Sequence, residues 1–419
     1  MSDNTRMVAG NKEYPQGGGT EAFELLQHLG SGGFAHTFSA RVLDADLIEE
    51  FQTDIVALKI PINKKKGIQL KKEITLNGAV YLQLKQLQGK NLVRCLGFES
   101  FRDQVVMVME HVVGGSLRDK IGGIDHQKPL PYTDALEIIK GVLTGLQVIH
   151  EARVFHRDIK PENILMDGAI PKIADLGISR MLDSNELAST TSGTIPYMSP
   201  EILGAEGASF PSDIWSVGVT FYEMLTGRLP FGGGNTPIGT MVNLILTKCP
   251  ASPSALDASI PRPINDVVLK ALCKEPGGRF CSAAEMLATL ENLKAAKTTQ
   301  VKSDLASIRE LLQSNEKLSV VEARMRDLVR QYPEEGEVYQ LLGEFLNRCE
   351  RFDDAIQTFK KGLRHVAENP MLRWDLALAY QKIGNPQAAV SNLEKALSLG
   401  LDPSLQRHAR MLLKALRGS

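Results

Sequence analysis

A chain of 419 residues is longer than one hydrophobic core usually serves, so more than one domain is expected. With 43% hydrophobic residues, 23% charged residues and a formal net charge of −1, it has a globular composition and no excess charge to draw it to nucleic acid or an anionic membrane. The five cysteines are scattered without a Cys-x-x-Cys pair, the polar N-terminus lacks an apolar signal region, and no apolar run approaches the ~20 residues that span a bilayer, so a cytoplasmic protein without disulfide frame, zinc site or membrane span is expected.

Residues 1–20 are polar and contain Gly17-Gly18-Gly19, which predicts a flexible lead-in. From Phe23 to Val42, apolar and polar residues alternate around Gly30-Ser31-Gly32-Gly33-Phe34-Ala35. Glycines here either let backbone N–H groups approach phosphate oxygens or make an ordinary hairpin turn. No Gly-Lys-Ser/Thr follows, which excludes a Walker A loop. Residues 43–54 read as an acidic insertion, and Ile55–Pro61 as an apolar strand interrupted by Lys59. That amine is either an edge group reaching water or a phosphate ligand. A helix is predicted from about Lys66 to Gln88, carrying Glu73, the only glutamate between Lys59 and Phe98. Two strands, Gly97–Phe101 and Gln104–Met109, then lead to Glu110-His111-Val112 and Gly114-Gly115-Ser116.

From Thr133 the period becomes helical, with Ala135, Ile138, Ile139, Val142, Leu143, Leu146, Ile149 and His150 on one stripe, where His150 reads as a core histidine. The densest chemistry follows in His156-Arg157-Asp158-Ile159-Lys160-Pro161-Glu162-Asn163. A carboxylate, an ammonium, a guanidinium and a carboxamide lie there between short apolar runs, where a fold presents reactive groups at the edge of its core. Ile173-Ala174-Asp175-Leu176-Gly177 ends an apolar strand, and taken alone its Asp could belong to a simple turn. Residues 178–199 hold a Ser/Thr cluster that includes Thr190 and Thr191, which by itself reads as a solvated turn.

Together these strings resemble the motifs of protein kinases, in order and over about residues 24–293. The resemblance implies an α+β bilobal protein kinase fold over residues 21–293, with an N-lobe at 21–112 and a C-lobe at 113–293. It implies ATP and Mg²⁺ as cofactors and a protein substrate. Gly30, Ser31, Gly32, Gly33, Phe34 and Ala35 would cover the phosphates, with Ala35 and Thr37 standing where the family has glycine and valine. Lys59 would hold the phosphates and pair with Glu73, unless Glu73 is only a solvated helix charge. The Glu110 carbonyl and the Val112 N–H would bind adenine, with Met109 behind it as the gatekeeper and Ser116 also at the nucleotide. Asp158 would take the substrate hydroxyl proton, Lys160 would offset charge on the transferring phosphoryl group, and Asn163 and Asp175 would hold the metal. Leu176 replaces the usual phenylalanine. Arg157 would pair with a phosphate on Thr190 or Thr191. Asp213 would brace the reactive loop, and Glu201 would pair with Arg279. Lys160 with Thr194 is the serine/threonine arrangement.

Residues 294–302 read as a polar linker, and residues 303–419 as an all-α helical repeat region. Leu342, Gly343, Leu346, Ala355, Phe359 and Gly362 recur 34 positions later as Leu376, Ala377, Tyr380, Ala389, Leu393 and Ala396. A weaker copy starts at Ile308 and Leu312, and residues 404–417 would cap the stack. The period resembles tetratricopeptide repeats and implies a surface for a protein or peptide partner; a plain helical bundle is the alternative. A kinase joined directly to such repeats is similar to bacterial kinases of the eukaryotic type. A pseudokinase scaffold or a repeat adaptor is the competing reading, and the presence of Lys59, Asp158, Asn163 and Asp175 weighs against the former.

Overall fold

The computed structural model describes residues 6–9, 12–15, 22–31, 35–62, 89–101, 104–123, 128–175, 193–313 and 317–417. The chain divides into two compact units, Met1–Leu293 and Lys294–Ser419.

Among the described residues the first unit begins with a hairpin, β1 (Arg6–Ala9) and β2 (Lys12–Pro15), within the stretch expected to be a flexible lead-in. A five-stranded antiparallel sheet follows, in the order β3 (Phe23–Ser31), β4 (Ala35–Val42), β5 (Ile55–Pro61), β7 (Gln104–Glu110), β6 (Cys95–Phe101). Its core face is the alternating set Phe23, Leu25, Phe38, Ala40, Val56, Leu58, Val106 and Val108. The supposed insertion at 43–54 is a helix, α1 (Ala45–Phe51), capped by the Asp44 carboxylate on the N–H groups of Asp46 and Leu47. Leu47, Ile48 and Phe51 give it an apolar side that packs on the sheet core, and this spacing outweighs the acidic composition.

The helical part of this unit is built around α4 (Phe210–Thr226), which is buried almost all round, as an apolar helix at the centre of a domain must be. Trp215 stacks on Phe231 with ring centroids 5.6 Å apart. Packed about it are α2 (Leu117–Ile121), α3 (Tyr132–Glu151), α5 (Ile238–Thr247) and α6 (Arg262–Ala271) in one apolar cluster. Between α3 and α4, a small hairpin of β8 (Ile164–Asp167) and β9 (Ile170–Ile173) carries the reactive loop on one flank and Asp175 on the other. Two backbone bonds, Ile173 N–H to Asn91 O and Val93 N–H to Ile173 O, each 2.9 Å, join β9 to the stretch before β6. Close approach fixes Gly114: a Cβ there would lie 1.9 Å from the Met166 carbonyl oxygen, so only glycine lets the segment after β7 lie against β8.

The second unit is helical. Residues 294–302, expected to be a linker, lie inside α7 (Ala283–Gln313), whose later residues Val301, Leu305 and Ile308 belong to the second unit's core. Nothing in 294–302 breaks a helix: it contains neither Gly nor Pro. Then come α8 (Leu318–Gln331), α9 (Gly336–Arg348), α10 (Phe352–His365), α11 (Pro370–Lys382), α12 (Pro386–Ser398) and α13 (Pro403–Arg417). The small and large positions of the 34-residue period meet: a Cβ on Gly343 would lie 2.2 Å from the Phe359 ring, so the glycine is what admits α10. No helix among the described residues is long and apolar enough to cross a membrane.

Candidate active site

Asp213, at the start of α4, organises the loop. Its Oδ2 accepts from the backbone N–H of His156 at 2.9 Å and from His150 Nε2 at 3.0 Å, and its Oδ1 accepts from the Arg157 N–H at 2.8 Å. These bonds hold Arg157 at φ 67°, a left-handed conformation that costs a non-glycine residue energy and persists only where the surroundings fix it. His150 is therefore the core histidine that its place on the α3 stripe suggested, paired through Nε2 while its buried Nδ1 has no hydrogen-bond partner.

His156 is fully enclosed. Its Nδ1 accepts from the Asp158 N–H at 3.3 Å and its Nε2 donates to the Ala174 carbonyl at 3.0 Å, a pairing that requires the neutral imidazole. Burial lowers its pKa and so favours the same form. One ring thus links the loop at Asp158 to the residue before Asp175. The Ala174 N–H donates to the Asn163 carbonyl at 2.8 Å, a second link between the same two segments.

The charged tips meet on this frame. Lys160 Nζ lies 3.1 Å from Asp158 Oδ2 and donates to Thr194 Oγ1 at 2.8 Å. Asn163 Nδ2 donates to Asp158 O at 2.8 Å and to Asp158 Oδ2 at 2.9 Å. Because both partners are acceptors, the amide nitrogen must face Asp158, which turns the Asn163 amide oxygen away from it. Lys59 Nζ, from the sheet, donates to Asp175 Oδ1 at 2.7 Å. Asp175 is itself left-handed, at φ 57°.

The hinge residues lie where β7 leaves the sheet. The Glu110 carboxylate receives Arg94 Nε at 3.2 Å and Lys172 Nζ at 2.8 Å, tying the strand end to β9. Val112 follows just past the end of β7, outside any strand or helix. The Ser116 hydroxyl caps α2 and bonds the Asp119 carboxylate at 2.7 Å, so its side chain is used within the helix start. Gly30 and Ser31 end β3, with the Ser31 hydroxyl 2.9 Å from His28 Nε2 and 2.8 Å from His36 Nδ1, and Ala35 opens β4. Gly32, Gly33, Phe34, Glu73, Thr190 and Thr191 lie outside the described residues.

Two buried ion pairs support the site from below. Arg279 grips Glu201 with two 2.8 Å bonds, and Ser212 Oγ adds a third to Glu201 at 2.7 Å. Burial opposes ionisation of Glu201, but the Arg279 and Ser212 bonds prevail and hold its carboxyl below the usual range. The second network is absent from the sequence reading. Arg118 on α2 donates to Glu162 of the reactive loop at 2.9 Å and to Glu223 of α4 at 2.7 Å, and it also bonds the Tyr197 hydroxyl, which donates to Glu223 at 2.6 Å. The signal was present: Glu223 is a carboxylate three residues from the end of a helix that is buried almost throughout. Burial pushes the Glu223 carboxyl up, offset in part by Arg118 and Tyr197.

Chemically, the arrangement offers a carboxylate–ammonium pair beside a hydroxyl (Asp158, Lys160, Thr194) and hard oxygen donors (Asn163, Asp175) facing a cation from the sheet. Oxygen donors of this kind suit Mg²⁺, and the outward turn of the Asn163 amide oxygen fits such a ligand.

Comparison with known proteins bears on the family. The family model for the protein kinase domain matches residues 23–290, and that for a tetratricopeptide repeat matches residues 372–399. A probable serine/threonine-protein kinase of Clostridium perfringens is 32% identical over 287 residues, covering 68% of this chain and 40% of that protein. Serine/threonine-protein kinase PrkC of Bacillus subtilis is 30% identical over 277 residues, covering 64% of this chain and 40% of PrkC. The chain thus spans under half the length of these bacterial relatives. Among solved structures, Rad53 1-466 in complex with AMP-PNP is similar at 28% identity and a TM-score of 0.50, covering 64% of each chain.

Proposed function

Because the chain belongs to the protein kinase domain family, we propose that it transfers the γ-phosphoryl group of ATP to serine or threonine hydroxyls of protein substrates. The observation that carries this reading is the Lys59–Asp175 bond at 2.7 Å, which joins charges 116 residues apart, with Asp175 next to Ala174, the residue bonded to the Asp158 loop through His156 and Asn163. The family implies use of ATP. Lys59 would bind its phosphates, the Glu110 carbonyl and the Val112 N–H its base, and Asn163 and Asp175 a Mg²⁺ ion. Bound there, the ion would supply positive charge against the phosphate oxygens.

Asp158 would accept the hydrogen bond and then the proton of the attacking hydroxyl. Lys160, between Asp158 and Thr194, would offset charge on the phosphoryl oxygens. His156 and Asp213 would act by position, fixing the loop. The repeats would bind a protein or peptide partner or regulate the kinase unit.

The metal assignment is tested with Asp175→Asn: at saturating ATP its phosphoryl transfer should fall at least about 100-fold and need more Mg²⁺ for half-maximal rate. Unchanged rate and Mg²⁺ dependence would remove Asp175 from the metal site. Regulation would act through phosphate on Thr190 or Thr191, paired with Arg157. Mass spectrometry of active protein should find one of them modified, and the double alanine variant should be slower; neither modification nor slowing would end that reading.

A further inference from the structure

The second unit carries a set of acceptors that none of the roles above uses. On α9, Gln340, Glu344 and Asn347 fall at i, i+4 and i+7, one side of the helix. Gln340 Nε2 donates to Glu344 Oε1 at 3.1 Å. From α11, which packs against α9, Asp375 reaches the same place: it is 6% exposed, it lies near enough to Glu344 for their charges to repel, and Gln340 bonds it. Asp375 Oδ2 and Asn347 Oδ1 are buried with no hydrogen-bond partner. The ion pairs found in this unit lie elsewhere, on Glu322, Asp327, Asp354 and Glu394.

Packing does not ask for this carboxylate. One 34-residue period earlier the position is Leu341, a buried apolar residue. A buried carboxylate with an unpaired oxygen either holds a proton or meets a cation. Burial first, and the Glu344 charge second, push Asp375 up to about 7, with Gln340 opposing them. Near neutral pH the proton is therefore held loosely enough for a cation to replace it.

We propose that Glu344, Asp375 and the Asn347 amide oxygen form the recognition subsite of the repeat unit, and that it takes a basic side chain, arginine before lysine, presented by a protein partner. Arginine is preferred because its planar guanidinium can donate to both carboxylates and the amide oxygen at once. Its entry drives the Asp375 proton into solvent and leaves an ion pair. This rests on the reading of the repeats as a partner-binding unit and names the chemistry of that partner.

The test uses the full chain and fluorescein-labelled twelve-residue peptides with a Gly/Ser/Ala background carrying two Arg, two Lys, two norleucine or two Glu residues, followed by anisotropy. The Arg peptide should bind best, with norleucine and Glu at least about 10-fold weaker. Glu344→Gln and Asp375→Leu should each weaken the Arg peptide at least about 10-fold. Asp375→Leu should also raise the melting temperature, so that lost binding is not lost folding. Calorimetry in two buffers of different ionisation heat should show proton release near pH 7 for the natural chain and none for Asp375→Leu. Arg and norleucine peptides binding alike, or Arg binding untouched by both variants, would overturn the subsite while leaving the repeats as a binding unit. No binding of any peptide would overturn both.

Discussion

At the scale of single residues, the side chains with the most partners are those that hold others in place. Asp213 accepts three bonds, two of them from the backbone of the reactive loop, while His156 uses both ring nitrogens to tie Asp158 to Ala174. The same logic gives Arg118 an unannounced weight. Its loss would remove the guanidinium that faces Glu223, whose side chain is fully buried. Arg118→Ala should therefore destabilise the first unit by about 3–5 kcal/mol in urea unfolding. Arg118→Lys should recover only part of this, because one ammonium cannot serve Glu162, Glu223 and Tyr197 with the geometry of a guanidinium. Equal stability of all three proteins would show that the network contributes nothing. Residue identity at Lys59, Asp158, Lys160, Asn163 and Asp175 was legible because the motif spacing is tight, and the bonds they make bring them to one place. Arg118 was not legible, since three of its partners come from three distant segments and no local pattern joins them.

At the scale of elements, regular alternation and helical stripes could be read directly: β5 spans the stretch predicted for it, and α3 begins within one residue of the predicted start. What could not be read were elements whose composition misleads. The acidic stretch at 43–54 hides a capped helix whose apolar side is three residues wide, and the polar stretch at 294–302 lies inside a helix because polarity alone does not end one. The repeat helices add a pH-dependent element. Folded Asp375 titrates near 7 against an ordinary 3.8, so between those values the folded chain keeps a proton that the unfolded chain has released. Stability from this group is therefore greatest below its ordinary pKa and falls as pH rises through about 7. Thermal melts of the natural chain should show the second unit losing stability between pH 5 and 8 by more than Asp375→Asn does; parallel curves would contradict this.

At the scale of the whole molecule, a sheet supplies one cation, a helical core supplies the carboxylates and the amide, and the β8–β9 hairpin joins them through backbone bonds to Asn91 and Val93. The family and the order of its motifs were legible in the sequence because the chemistry sits in short strings. The acidic subsite proposed for the repeats was not, because Glu344 and Asp375 are brought together only by the packing of α9 on α11. The central claim is that this arrangement performs phosphoryl transfer with Asp158 as its base. It is tested most directly by following ³²P from [γ-³²P]ATP with Mg²⁺ into a serine/threonine peptide mixture, comparing the natural chain with Asp158→Asn. The account predicts transfer by the natural chain and a loss of at least about 100-fold in the variant; a natural chain no faster than Asp158→Asn would contradict it.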